Sequence, residues 1–424
     1  MIKKYFKGEF SRNVLTLFTG TSMAQLIPIA ISPILTRLYG PEEFGVFALY
    51  TAIVSILSVI STGRYELAII LPQKDSEAIN ISGLAFFLNI SISLCLLVVF
   101  LIGEEQFKSI FGLDELGVWI YFLPFSIMLL GAYQIIYYWL NRRKMYKYMS
   151  TNKVTQQVWI GGSNLSLGYT TNGVGLIFGT IVGQLISLGI IIKKIAKLEK
   201  DIVKQVSKEE MIIQAKRYSN FPRYLTFAHT LNISSSNLST ILFTNFFSSV
   251  SVGYFSLTQR ILRMPLTLIG SSISDVFRQK AVEEIIAKGN CKNIYIKTFC
   301  SLFFLASVPF VLLYIISPWL FSFIFGEEWR VAGDYARLMM PMLFFQFITS
   351  PLSSLFMIME KQKLDLIWQI GLFVFTTTGL VIGYIIFNSI EISILLFSIA
   401  YSIMYIINGI MTFTFAIHGV SIEK

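Results

Sequence analysis

Apolar residues in this chain come in runs about as long as a bilayer is thick, parted by short polar or basic segments. Twelve such runs lie at approximately 14–38, 44–63, 79–102, 117–140, 154–171, 173–195, 222–246, 253–277, 296–318, 335–359, 364–387 and 392–416. About 18 or more apolar residues with few charges make a helix that crosses a hydrocarbon core about 30 Å thick. A soluble core would account for one such run, not a dozen. The pattern predicts an all-α integral membrane protein with about twelve transmembrane helices.

Composition agrees with that reading. Of the 424 residues, 54% are hydrophobic and 14% charged. A soluble domain carries about 25% charged residues, so the charges here are too few to cover a water-facing surface. The net charge of +10 raises the question of a nucleic-acid partner, and the placement of the basic residues answers it. Lys3, Lys4, Lys7, Arg12, Arg64, Lys74, the basic residues of 141–153, 193–217 and 278–297, Lys361, Lys363 and Lys424 all fall on one side of the alternating spans. Only Lys108 and Arg330 fall on the other. An excess of Lys and Arg marks cytoplasmic loops, so both termini are expected in the cytoplasm. The charge reports topology, and no nucleic-acid partner is expected.

Cys95, Cys291 and Cys300, with His229 and His418, are too few and too scattered for a disulfide framework or a zinc site. No metal and no cofactor are expected. The first run is long, contains Pro28 and Pro33 and lacks a small-residue cleavage site, so it reads as a first transmembrane helix. The longest connection, 196–221, is basic, with Leu198, Ile202, Val206 and Ile212 at roughly helical spacing. It reads either as an amphipathic helix on the cytoplasmic face or as a plain tether.

The chain also resembles itself. LTRLYGPEEFGVFALYTAI at 35–53 aligns with FTNFFSSVSVGYFSLTQRI at 243–261, matching Thr36 with Thr244, Gly45 with Gly253 and Phe47 with Phe255. FKSIFG at 107–112 aligns with FSFIFG at 321–326. Both pairs fall at the same relative place in each half. Six spans per half give the halves the same orientation, so the repeat predicts two six-helix bundles related by a parallel pseudo-two-fold axis along the membrane normal. The expected division is an N-terminal bundle at 1–195, a cytoplasmic linker at 196–221 and a C-terminal bundle at 222–424. Two like bundles around a cleft suit an alternating-access transporter.

Charges inside a membrane usually face a water-filled cavity or a partner. Arg260 and Arg263 share one face of the eighth span, near Ser256 and Gln259, and read as a cationic patch for an anionic headgroup. The plainer alternative pairs them with Asp275 or another acid. His229, Asn232, Ser236, Thr240 and Thr244 form a polar stripe along the seventh span, suited to a solvated cavity or to helix–helix adhesion. His229 alone could couple protons, though a packing histidine is the simpler reading. Arg64 and Glu66 are two residues apart and would not face each other on a helix, so they read as interface residues or partners of other spans. Arg37 carries the same ambiguity. Pro28 and Pro33 each remove a helical hydrogen bond, which makes the first helix either a gate or a fixed bend. Glu327 and Glu328 beside Trp329 read as an interfacial group.

No GxxxxGK[ST] phosphate loop occurs, nor an Asp-x-Asp pair or a soluble lobe for a nucleotide sugar. An enzyme is not expected. A chain with ILTRLYGPEEFGVFALY (34–50), GRYELAIILPQKDSEA (63–78), YSNFPRYLTF (218–227) and VGYFSLTQRILRMPLTLIGSSISDVFRQ (252–279) resembles the Wzx-type polysaccharide flippases, those of O-antigen and capsule repeat units. They belong to the multidrug/oligosaccharidyl-lipid/polysaccharide exporter superfamily. FGEEWRVAGDYARLMMP (326–341) and ITSPLSSLFMIMEKQ (348–362) extend the resemblance along nearly the whole chain.

The resemblance implies a bacterial inner-membrane protein that moves an undecaprenyl-pyrophosphate-linked oligosaccharide, as in lipopolysaccharide biosynthesis, from the cytoplasmic to the outer leaflet. It also implies a polar, cationic cavity, for which Arg37, Arg64, Arg260 and Arg263 are the candidates beside His229, Asn232, Ser236 and Gln259. Partners are then the lipid-linked oligosaccharide and the bilayer, and assembly with a glycan polymerase stays open. Rival readings are a cation-coupled multidrug antiporter of the same superfamily, expected to carry acidic residues in its spans, and a membrane glycan polymerase or ligase, expected to carry a large outer loop.

Overall fold

A computed structural model describes residues 9–105, 114–169 and 175–418. Among these residues no strand occurs, and twelve long helices follow one another. They are α1 (Glu9–Leu38), α2 (Pro41–Ser61), α3 (Asp75–Ile102), α4 (Leu123–Arg142), α5 (Tyr146–Gly168) and α6 (Gly175–Leu198), then α7 (Thr226–Phe246), α8 (Ser249–Lys288), α9 (Lys292–Phe325), α10 (Arg330–Thr349), α11 (Gln362–Phe387) and α12 (Ile390–His418). Each matches one apolar run of the sequence. FKSIFG and the lysines at positions 3, 4, 7, 108 and 424 lie outside the described residues.

Length and composition alone qualify eight segments, containing α2, α3, α4, α6, α9, α10, α11 and α12, as membrane spans. The remaining long helices, α1, α5, α7 and α8, are not in that set among the described residues, and they carry most of the residues that the sequence singles out. The chain is a multi-pass integral membrane protein.

Contacts divide the chain into two compact units, Met1–Gly253 and Tyr254–Lys424. In the first unit α5 and α6 form a hairpin, α1 lies along α5, and α2 packs against α4 and α7. Leu49, Ile120, Leu123, Ile127 and Ile181 belong to one apolar cluster of this unit. Buried hydroxyls tie the helices together. Tyr50 Oη reaches the Phe122 carbonyl at 2.9 Å and Ser126 Oγ at 2.6 Å, and Tyr39 Oη donates to the Asn164 carbonyl at 2.7 Å.

The connection after α6 is docked on the protein. Its helix Lys208–Arg217 begins at Ser207, whose hydroxyl caps the Glu210 amide at 3.2 Å. Acids fill its first turn and bases its last, as the helix dipole favours. Asn80 on α3 donates to the Gln205 carbonyl at 3.0 Å and accepts from the Ser207 amide at 2.8 Å. Arg217 pairs with Glu77 at 3.1 Å. Met211 and Ala215 pack on the apolar cluster around Ile69 and Ile81, while Ile212 and Ile213 stay exposed. Arg142 and Arg143 at the end of α4 share Asp75, and Arg143 also reaches Glu199 at 3.0 Å.

The second unit holds the remainder of α8 with α9 to α12. Its contacts are the hairpins α9–α10 and α11–α12, with α10 against α12. Thr258 Oγ1 donates to the Ala332 carbonyl at 2.8 Å, Ser317 Oγ to Gly333 at 3.0 Å and Ser353 Oγ to Asn408 Oδ1 at 2.8 Å. Trp329, beside Glu327 and Glu328, is built into the packing. It is 1% exposed and meets Tyr254 edge-on at 5.8 Å, so it is a packing residue of this unit.

Candidate functional site

In the first unit the polar centre forms where α2 stops. Thr62 follows the last turn, and Gly63 and Arg64 both take left-handed backbone angles, φ 57° and 59°. The chain then winds into a short 3-10 helix, Tyr65–Ile70. Glycine adopts this region freely, whereas arginine does so at a cost. The turn overturns the expectation that Arg64 and Glu66 would not face each other, because that reading assumed a continuing helix. Arg64 Nη1 lies 3.1 Å from Glu66 Oε1, and Thr62 Oγ1 donates to Glu66 Oε2 at 2.5 Å. The Glu66 side chain is 0% exposed and that of Arg64 9%. Arg64 Nε is buried without a hydrogen-bond partner. Tyr65 Oη anchors the turn to the Ala215 carbonyl at 3.0 Å.

His229 on α7 and Tyr138 on α4 both lie within electrostatic reach of Arg64 and Glu66. The structure thus brings together two residues that the sequence kept apart and adds Tyr138, which the sequence did not single out. Thr244 is buried and donates to the Thr240 carbonyl at 2.9 Å. The side chains of Asn232 and Ser236 lie outside the described residues. Lys153, assigned from sequence to a basic loop, sits instead in the second turn of α5. It donates to Thr21 Oγ1 at 3.2 Å and lies 4.9 Å from the centre of the Tyr137 ring.

Arg37 is exposed at the end of α1 and donates to the Pro33 carbonyl at 2.6 Å. The helix runs unbroken through Pro28 and Pro33, and Ser32 Oγ donates to the Pro28 carbonyl at 2.5 Å. Elsewhere in this unit, Glu42, Glu43 and Glu115 line a pocket of about 360 Å³. They stand in the first turns of their helices, and among the described residues no cluster suits a metal ion.

The second unit has its own cationic centre on α8. Arg260 lies 11 residues past Ser249, about 16 Å along the helix. Arg260 and Arg263 have no ion-pair partner among the described residues. Asp275 is exposed and does not pair with them. Arg263 Nε is buried without a hydrogen-bond partner. It lies in electrostatic reach of Tyr405 on α12, whose hydroxyl accepts from Gln346 Nε2 at 3.5 Å. Tyr405 stacks on Tyr401 at 4.9 Å and meets Trp368 edge-on at 5.2 Å. The Trp368 indole is fixed by the Met404 carbonyl at 2.7 Å, and Gln346 Oε1 is a second buried polar atom without a partner. Gln259 is half-buried. The sequence missed Gln346, Trp368 and the tyrosines, although Tyr401 and Tyr405 stand one helical turn apart in an otherwise apolar run.

An all-α membrane protein with two arginines on α8 that have no ion-pair partner among the described residues is the class that these features define. Residues 34–334 match the family model described as "Polysaccharide biosynthesis protein", and the chain belongs to that family. It is similar in fold to the inward-facing conformation of a multidrug resistance MATE family transporter of the MOP superfamily. The TM-score is 0.66 at 13% identity over 94% of both chains. An outward-facing conformation of such a transporter gives 0.60 at 13% identity over 96% of this chain and 95% of that one. The MATE multidrug transporter DinF-BH gives 0.62 at 13% identity over 95% of both chains. No curated protein matches the sequence. The fold class expected from the sequence stands.

Proposed function

We propose that this protein translocates an undecaprenyl-pyrophosphate-linked oligosaccharide from the cytoplasmic to the outer leaflet of a bacterial inner membrane by alternating access. The observation that carries this reading is the pair Arg260 and Arg263, held in a transmembrane helix without an acidic partner among the described residues. A cation inside a membrane is expensive. An anionic headgroup supplies the missing counter-charge during each cycle.

Moving a pyrophosphate and a glycan through hydrocarbon unaided is prohibitive. Arg37, Arg64, Arg260 and Arg263 hold the phosphates, and His229, Asn232, Ser236 and Gln259 replace water around the sugars. The half-buried Tyr401 offers a face on which a sugar ring stacks. The polyprenyl tail stays in lipid. Bundles at 1–195 and 222–424, joined by 196–221, rock against each other, with the stretch of α1 that holds Pro28 and Pro33 as the gate and both termini in the cytoplasm.

The second reading is a cation-coupled multidrug antiporter, favoured by the fold shared with MATE transporters. Against it, Glu42, Glu43 and Glu115 stand at helix starts, and the intramembrane charges of α8 are basic. Proteoliposomes containing a fluorescent undecaprenyl-pyrophosphate oligosaccharide test the choice. Protein-dependent flipping supports the proposal, and organic-cation efflux without flipping overturns it.

A further inference from the structure

We propose that Lys153 binds a phosphate of the transported headgroup at a place of its own, apart from Arg64. This rests on the reading of the chain as a carrier of a pyrophosphate-linked glycan, and it adds a cation that the sequence placed in a loop. Arg64 brings its own counter-charge, because Glu66 lies 3.1 Å from it. Lys153 brings none. It stands seven residues past the start of α5, about 10 Å along the helix, and no carboxylate pairs with it among the described residues. Its ammonium donates to Thr21 Oγ1 on α1 at 3.2 Å and lies 4.9 Å from the centre of the Tyr137 ring on α4. A hydroxyl and a ring face hold a cation in place, but neither neutralises it.

Snorkelling does not account for this placement. A lysine that only sought water would carry its ammonium out along the surface, whereas Lys153 is half-buried and turned onto two neighbouring helices. An ammonium has three N–H donors. Thr21 takes one, so two remain for an oxyanion. The walls beside it suit the sugar that a phosphate carries. Gln25 lies four residues after Thr21 on α1, and Gln134 three before Tyr137 on α4, so each shares a helix face with a contact of Lys153. Successive spans alternate in direction, so α1 and α4 run oppositely and both glutamines stand on the same side of Lys153. Each has a buried amide oxygen without a hydrogen-bond partner. Amide oxygens accept and sugar hydroxyls donate. A cation with donors to spare is thus followed, one turn along, by acceptors to spare: the phosphate comes first and its sugar next.

The test is calorimetric titration of the full chain in detergent with geranyl pyrophosphate. Lys153→Gln is expected to weaken binding about tenfold or more, the size of a lost hydrogen bond to a charged group. Lys153→Arg keeps the charge and is expected to stay within about threefold of wild type. Unchanged affinity in a folded Lys153→Gln overturns the proposal, and so does a Lys153→Arg that binds as weakly as Lys153→Gln. Should Lys153→Gln fail to fold, wild type decides. The probe is expected to slow acetylation of Lys153 by a water-soluble amine reagent, followed by mass spectrometry, and phosphatidylglycerol at the same concentration is not. No protection overturns the proposal, and equal protection by phosphatidylglycerol does too, by making this a site for bulk anionic lipid. Wild-type binding that ignores Lys153 sinks this role alone, whereas no binding of the probe by wild type sinks the headgroup reading with it.

Discussion

Gly45 and Gly253 each face the backbone at which the other's helix begins: a Cβ on Gly45 would collide with the Ser249 carbonyl, and one on Gly253 with that of Pro41. These four residues are related by the repeat read from the sequence, since an offset of 208 carries Pro41 to Ser249 and Gly45 to Gly253. The contact between the two helix starts is therefore reciprocal. Small residues at a membrane helix crossing let backbones approach closely, and here the space is already full.

Gly45→Ala or Gly253→Ala should force the two helix starts apart, at a cost of about 1–3 kcal/mol each. Because the contacts are neighbours, the double substitution should cost less than the sum. Thermal unfolding in detergent measures this, and an unchanged midpoint for both single variants would remove the close crossing from the account.

The Arg64–Glu66 pair makes a second prediction. Glu66→Ala strands a buried guanidinium and should cost about 3–5 kcal/mol, whereas replacing both residues by apolar side chains of similar volume should recover most of that. A double-mutant cycle on unfolding free energy reads the coupling. Additive losses would mean that the two side chains do not pair.

Cys291 lies at the turn between α8 and α9, fully buried against Tyr295 and Phe277. Burial, with Glu284 adding to it, pushes its thiol up to about 11. The thiolate is the reactive form, so a water-soluble maleimide at about pH 8 should leave Cys291 unmodified in the folded protein. Mass spectrometry before and after denaturation checks this. Rapid modification of the folded chain would contradict the packing of the turn.

Glu284 near the same turn is held below the ordinary carboxylate range by the Lys288 side chain first, then by the Ile294 amide, which it accepts at 2.9 Å. A depressed folded value means the stabilisation is complete above the unfolded value near 4.5 and is lost as pH falls through the folded one. Wild type should therefore exceed Glu284→Gln in stability near neutrality, with the gap closing in acid. A gap that widens in acid would reverse the sign.

The helices were legible because each apolar run is one membrane crossing. What hydropathy could not show is helix that leaves the membrane. The eighth run ends near 277, yet α8 continues to Lys288, because DVFRQKAVEEIIAK is made largely of good helix formers. Lys153 was misplaced for the opposite reason: five basic residues in 141–153 read as a loop, although α5 begins at Tyr146. The break at Gly63 was written in the sequence as a glycine before a charged pair. Its left-handed turn brings Arg64 onto Glu66, and Tyr65 beside it reaches the Ala215 carbonyl 150 residues on, a contact that local sequence does not reveal. The centre around Arg263 joins α8, α10, α11 and α12, and a periodicity within one helix carries no trace of it.

The most direct test of the central claim is flipping of a defined undecaprenyl-pyrophosphate oligosaccharide in proteoliposomes, with wild type beside the folded Arg260→Ala/Arg263→Ala variant. Protein-dependent flipping is expected to fall at least tenfold in the variant, while thermal stability is kept. Flipping at the wild-type rate by the variant would contradict the role given to the two arginines, and no flipping by wild type would contradict the function itself.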